Sequence, residues 1–161
     1  MKKYFLFIWL AFEMFAKGYG QNVKKNLDLI IVIDENIVVG TIASVQIELK
    51  YERSKEIIDA SYYPGNLSIT ENNYIKLISD STKSIKLRFI YYEYAGQDQT
   101  TYNYEIELRR EWIEDYFNIL RVYNLKKQKY KGKYSPNEVG KNYAYEIVTP
   151  SHSFRLIESK N

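Results

Sequence analysis

The sequence predicts an all-β domain, an antiparallel β-sandwich with one short helix, and three observations carry that prediction. Apolar and polar residues alternate along residues 43–51, 85–94 and 102–108. A period of two is the mark of a strand with one face buried and the other wet. Turn signals such as Pro64-Gly65-Asn66 and Gly96-Gln97-Asp98 break the chain at short intervals. Tyrosine is abundant, at 17 of 161 residues, and its ring suits a pleated, half-buried surface.

Taken in order, residues 26–33 form an apolar strand closed by the turn Asp34-Glu35-Asn36. In the next strand Ala43, Val45, Ile47, Leu49 and Tyr51 face the core, while Ser44, Gln46, Glu48 and Lys50 face water. Residues 56–63 give a further strand that stops at Pro64, and residues 67–69 add a short one. Thr70 then reads as a helix N-cap. Tyr74, Leu77 and Ile78 follow at helical spacing, which predicts a helix over 71–79.

The clearest element is a hairpin. Ile85, Leu87, Phe89 and Tyr91 alternate with Lys86, Arg88 and Ile90, then Tyr102, Tyr104, Ile106 and Leu108 alternate with Asn103, Glu105 and Glu107 around a polar loop at 95–99. Past the charged stretch Arg109-Arg110-Glu111, residues 116–125 are a strand. Tyr143, Tyr145 and Ile147 mark another, and Phe154 and Leu156 the last, across the turn Thr149-Pro150-Ser151-His152. This pattern of short strands suits a sandwich, with a partly open β-barrel as the competing architecture. The run Gly140-Lys141-Asn142-Tyr143-Ala144-Tyr145 resembles the end of an immunoglobulin-like or transthyretin-like sandwich, where a tyrosine opening a late strand ties down a corner. The resemblance implies architecture and carries no function.

The N-terminus reads as a secretory signal. Met1-Lys2-Lys3 is a basic start, an apolar run follows from Tyr4, and Gly18 and Gly20 supply the small residues of a cleavage site before Gln21. Cleavage after Gly18 is the other position that fits. A membrane anchor and a core element are the competing readings; a spanning helix needs roughly 20 apolar residues, and Lys17 ends this run sooner. The expected organisation is therefore a signal peptide at 1–20 and a single domain at 21–161. Removing the signal takes Lys2, Lys3, Lys17 and Glu13 with it and lowers the formal net charge from +3 to +1. A near-neutral domain gives no reason to expect nucleic acid as a partner. The absence of cysteine excludes disulfides, thiolate metal sites, a cysteine nucleophile and a lipid-modified cysteine. The expected location is periplasmic or secreted, without a lipid anchor and with no stable membrane span after cleavage.

Candidate chemistry is sparse. His152 is the single histidine and lies in a turn, so a site built on two histidines is excluded. No Gly-x-Ser-x-Gly is present. Glu111, Glu114 and Asp115 cluster around Trp112, and an acid pair beside an aromatic platform is what sugar cleavage needs. The plainer reading of that cluster is a charged turn with its Trp packed on the core. Asp34-Glu35-Asn36 and Asp98 match no calcium-loop spacing. No cofactor, metal or catalytic residue is therefore expected.

Two features point to contact instead. Lys126, Lys127, Lys129, Lys131 and Lys133 interleave with Gln128, Tyr130 and Gly132, a pattern that suits an anionic partner, or a solvated edge strand or loop protected from aggregation. Tyr91, Tyr92, Tyr94, Tyr102 and Tyr104 crowd one hairpin, and neighbours in a strand face opposite sides, so some rings are expected at the surface. Cross-strand packing is the structural alternative. The candidate binding residues are Tyr91, Tyr92, Tyr94, Tyr102, Tyr104, Lys127, Lys129 and Lys131. The expected function is an exported, non-catalytic binding or interaction module, its partner an extracytoplasmic protein, with a glycan as the other candidate. The alternative is a small glycan-directed hydrolase using the carboxylates near Trp112.

Overall fold

The computed structural model describes residues 23–151 and 153–154. The expected signal segment 1–20, His152 and Leu156 lie outside the described residues. In chain order the strands are β1 (Lys24–Leu27), β2 (Leu29–Ile33), β3 (Asn36–Ile37), β4 (Ile42–Lys50), β5 (Lys55–Asp59), β6 (Ser61–Tyr63), β7 (Asn66–Thr70), β8 (Ser84–Ala95), β9 (Asp98–Leu108), β10 (Asn118–Asn124), β11 (Tyr143–Val148) and β12 (Ser153–Phe154). Two short helices, α1 (Glu71–Ile78) and α2 (Arg110–Ile113), interrupt them. The protein is all-β and sandwich-like. Its sheets run β1-β7-β6, β12-β11-β10-β2-β3 and β5-β4-β8-β9.

One core joins them. Ile31, Leu120, Val122 and Ile147 of the five-stranded sheet share a cluster with Ile47, Leu87, Phe89 and Ile106 of the four-stranded sheet. Leu67 and Ile69 of the small sheet and Leu77 of α1 complete it. The predicted hairpin phase is met: Phe89 and Ile106 are buried. Helix α1 begins as expected, with the Thr70 hydroxyl accepting the Asn73 N–H at 3.3 Å. The predicted loop at 95–99 tightens to two residues, since Ala95 pairs with Asp98. Gly96 takes φ 66°, the first-position requirement of a type II′ turn.

Several expectations are corrected. The apolar run 26–33 is two strands, broken at Asp28, that join different sheets. The strand expected at 56–63 splits at Ala60 in the same way. Ala43 is not on the buried face. Ser44 adopts φ 50° at a bulge, the register shifts between Ala43 and Gln46, and Ile42 takes the core-facing place. The strand expected at 116–125 starts at Asn118, because Arg109 leads into α2, which buries Trp112 and Ile113. The sheets are not wholly antiparallel either: β2 and β10 pair in parallel.

Candidate functional site

The two surfaces singled out from the sequence, the tyrosine hairpin and the lysine stretch, meet at one end of the molecule. Alternation sorts the tyrosines first. Tyr91, Tyr102 and Tyr104 lie on the inner face of the β8–β9 hairpin and continue the core outward. Tyr91 stacks across the strands on Tyr102 at 6.0 Å between ring centroids, Tyr104 packs on Phe89 at 5.4 Å, and Tyr143 meets Tyr104 edge-on at 5.0 Å. Tyr104 is only 3% exposed, so it presents nothing to a partner. Tyr91 and Tyr102 are half-buried. Tyr92 and Tyr94 occupy the opposite phase, and Tyr94, 60% exposed, is the ring most open to solvent among the five.

The lysines are largely engaged. Residues 126–133 form turns after β10 rather than an edge strand. Lys127 reaches the Asp34 carboxylate at 2.8 Å and also pairs with Glu93 of β8. Burial works against its charge, yet the hydrogen bonds it donates to Asp34 and Glu93 carry its pKa above the ordinary lysine value. The same Lys127 hydrogen bond, joined by one from the Tyr102 hydroxyl at 2.9 Å, holds Glu93 below the usual carboxylate range. Lys129 pairs with Glu35.

These pairs brace an unusual turn. Asp34 and Glu35 connect β2 to β3 with φ of 50° and 71°, a left-handed pair built without glycine. The Asp34 carboxylate also accepts the Asn124 N–H at 2.8 Å. Lys127 and Lys129 therefore hold a strained turn, a role the sequence did not announce. Lys131 is exposed. So is Lys126, and among the described residues no carboxylate pairs with either.

Between the hairpin and the chain after β10 lies a cleft of about 180 Å³, lined by Tyr102, Asn103, Asn124, Lys126, Asn142 and Tyr143 among others. Its floor follows the outer edge of β9. There the Tyr143 hydroxyl donates to the Glu105 carbonyl at 2.7 Å and accepts the Glu105 N–H at 2.9 Å. The Tyr145 hydroxyl accepts the Glu107 N–H at 3.3 Å, and burial pushes its pKa up to about 12. Tyr143 does not close a local corner as the resemblance implied; its hydroxyl instead ties β11 of one sheet to the edge strand of another. Sequence reasoning placed Lys126 in the basic stretch but left it off the candidate list, and it assigned no role to the Tyr145 hydroxyl, Asn103 or Lys141. The Tyr143-x-Tyr145 spacing was the available signal for Tyr145.

The carboxylates near Trp112 are arranged differently from the alternative reading. A second cleft, about 440 Å³, is lined by Lys83, Glu107, Arg109, Glu111 and Glu114 among others. Trp112 is 5% exposed and covered by the Arg109 guanidinium at 5.2 Å, so its ring is no open platform. Asp115 is occupied by local structure. A hydrogen bond from the Thr149 hydroxyl and others from the Ser151 and Tyr116 N–H groups hold its carboxyl below the usual range.

No helix among the described residues is long and apolar enough to cross a membrane. Compared with known proteins, the chain matches no family model, no curated protein and no solved structure.

Proposed function

We propose that the chain is an exported, non-catalytic module that acts by binding, with a protein rather than a glycan as its partner. Export rests on the order of residues 1–20, a basic start, an apolar run and small residues before Gln21. The periplasm and the medium both suit that signal. The observation that carries the binding reading is the cleft at the hairpin end, where Tyr102, Asn103 and Lys126 converge beside an edge strand. A polar recess with half-exposed aromatic and cationic walls suits recognition.

The test uses protein secreted by its native host. Its intact mass should begin at or near Gln21. The purified protein and a Lys126→Glu, Asn103→Arg variant are then compared for capture of extracytoplasmic proteins. A partner retained by the protein and lost by the variant is the expected result. Equal capture by both would move the binding site elsewhere.

A second reading has one observation in its favour: Glu107, Glu111 and Glu114 share the larger cleft. Two carboxylates flanking a sugar would make it a hydrolase. The buried Trp112 weighs against it, because the aromatic platform that motivated the idea faces the core. If Glu111→Gln abolished glycan hydrolysis while leaving the thermal melt unchanged, this reading would replace the first.

A further inference from the structure

We propose that the outer edge of β9 between Gln99 and Asn103 is a strand-addition site that takes an extended peptide carrying an acidic side chain. This rests on the binding reading above and names the kind of partner.

The direction of the edge groups follows from two independent bonds. The Tyr92 N–H points toward β4, donating to Thr41 at 2.9 Å, and Tyr92 lies opposite Thr101. Opposed residues in an antiparallel pair either exchange both bonds or neither. Thr101 must therefore turn its N–H and C=O away from β8. Glu105, four residues on in an unbroken register, does the same, because its N–H and C=O meet the Tyr143 hydroxyl. Gln99 and Asn103 share that phase. Their side chains, like that of Thr101, are exposed. Beyond Glu105 the edge is closed by phenols; from Asn103 outward, no described group takes its place.

The closure stops for a reason visible in the chain. Tyr143 serves Glu105 and Tyr145 serves Glu107, so the two strands advance in step, two residues at a time. The next position in that row is 141, and it is a lysine whose ammonium reaches the Glu105 carboxylate at 2.6 Å. No phenol is left for Asn103.

An incoming strand would find three outward backbone positions carrying neutral side chains and none of the usual guards against edge pairing, such as proline or a central lysine. Every second side chain of that strand would face the recess that Asn103 shares with Lys126, Asn124 and Asn142. An ammonium that no described carboxylate pairs with and the exposed carboxamides of Asn103 and Asn142 are the right surroundings for a carboxylate.

The probe is a fluorescent extended peptide, Thr-Val-Thr-Glu-Thr-Val-Thr, with a version carrying Lys in place of Glu. Polarisation reads affinity, and amide NMR shifts and hydrogen exchange locate it. The Glu peptide should bind more tightly than the Lys peptide and protect the Thr101 and Asn103 amides. Thr101→Pro removes one outward donor without touching the β8–β9 ladder, since its N–H does not face β8. It should weaken binding by about tenfold or more, the loss of roughly one backbone hydrogen bond. Thr101→Val keeps the donor and should bind as before. Lys126→Glu should abolish the preference for Glu over Lys.

No binding up to about 1 mM, or binding that Thr101→Pro leaves unchanged, overturns the proposal. A dimerisation that Thr101→Pro abolishes, without peptide binding, overturns it in favour of a second copy of the chain. Failure here is separable from failure of the binding reading. A native partner captured equally by the protein and by Thr101→Pro would sink the edge site and spare that reading.

Discussion

Removing one hydroxyl from each of two adjoining tyrosines should have opposite effects. Tyr143 and Tyr104 meet at 5.0 Å and both are buried. The Tyr143 hydroxyl makes two bonds to the Glu105 backbone, at 2.7 and 2.9 Å. The Tyr104 hydroxyl is buried with no hydrogen-bond partner among the described residues, and burial pushes its pKa far up. Each hydrogen bond contributes about 1 kcal/mol net, and a backbone group stranded by its loss costs somewhat more. Tyr143→Phe should therefore destabilise by about 2 kcal/mol, tempered because water can reach the half-exposed Glu105. Tyr104→Phe removes a hydroxyl that folding strips of water without recompense, so it should be neutral or stabilising by up to about 1 kcal/mol. With a urea m-value of about 2 kcal/mol/M, Tyr143→Phe lowers the midpoint by roughly 1 M, and Tyr104→Phe leaves it in place or raises it. Hydrogen exchange gives a local check: the Glu105 amide should lose protection in Tyr143→Phe and keep it in Tyr104→Phe. Equal midpoint losses in the two variants would refute the bridging role.

Three further predictions concern packing and charge. Phe89→Ala should cost about 3–5 kcal/mol in a urea melt. Arg88→Ala, which the strand phase alone marks as harmless, should cost about 1 kcal/mol, because Arg88 bridges Glu48 and Glu105 at 3.0 Å each and Glu48 is largely covered. The ion pairs also set an acid limit. Glu93 is lowered by the Lys127 hydrogen bond and Glu105 by the Lys141 hydrogen bond. A depressed folded-state pKa contributes stability above the ordinary glutamate value, near about 4.3, and loses it as pH falls through the lowered value. Lys127→Met should thus melt below the parent protein at neutral pH. The gap should narrow as the pH is taken below about 4, and a gap constant across that range would refute the coupling.

The hairpin, the α1 cap and the core phase were legible because each is a local pattern: period two, a Thr before a helical run, apolar residues on one face. What escaped was non-local. The breaks at Asp28 and Ala60 follow from a chain that changes sheet, and an apolar run does not record which sheet it joins. The bulge at Ser44 moves Ala43 out of phase without altering the alternation on the page. The lysine stretch looked like a free basic surface because its partners, Asp34, Glu35 and Glu93, come from distant segments. Tyr104 looked available for contact because alternation gives its face but not what packs over it, which is Tyr143.

Those same tyrosines explain how a chain without cysteine fastens its sheets and where it leaves one unfinished. The Tyr62 hydroxyl accepts the Ile31 N–H of β2 at 2.8 Å, as Tyr143 and Tyr145 act on β9. On β9 the phenols occupy backbone sites of an edge strand, whereas on β2 the phenol takes the Ile31 N–H just past the end of the short β3 pairing. Such a bond fixes position as well as energy, because it requires the ring to lie in the core and its hydroxyl to reach one residue. Two residues of separation match along β11 and β9, so the tyrosine row acts as a substitute strand for as long as tyrosines recur. It ends at Lys141, and the β9 edge is uncovered from the next matching residue, Asn103. The structural use of tyrosine and the proposed binding use of the edge are thus consequences of one pattern: a change at position 143 or 145 acts on stability, while a change at 101 or 126 acts on recognition.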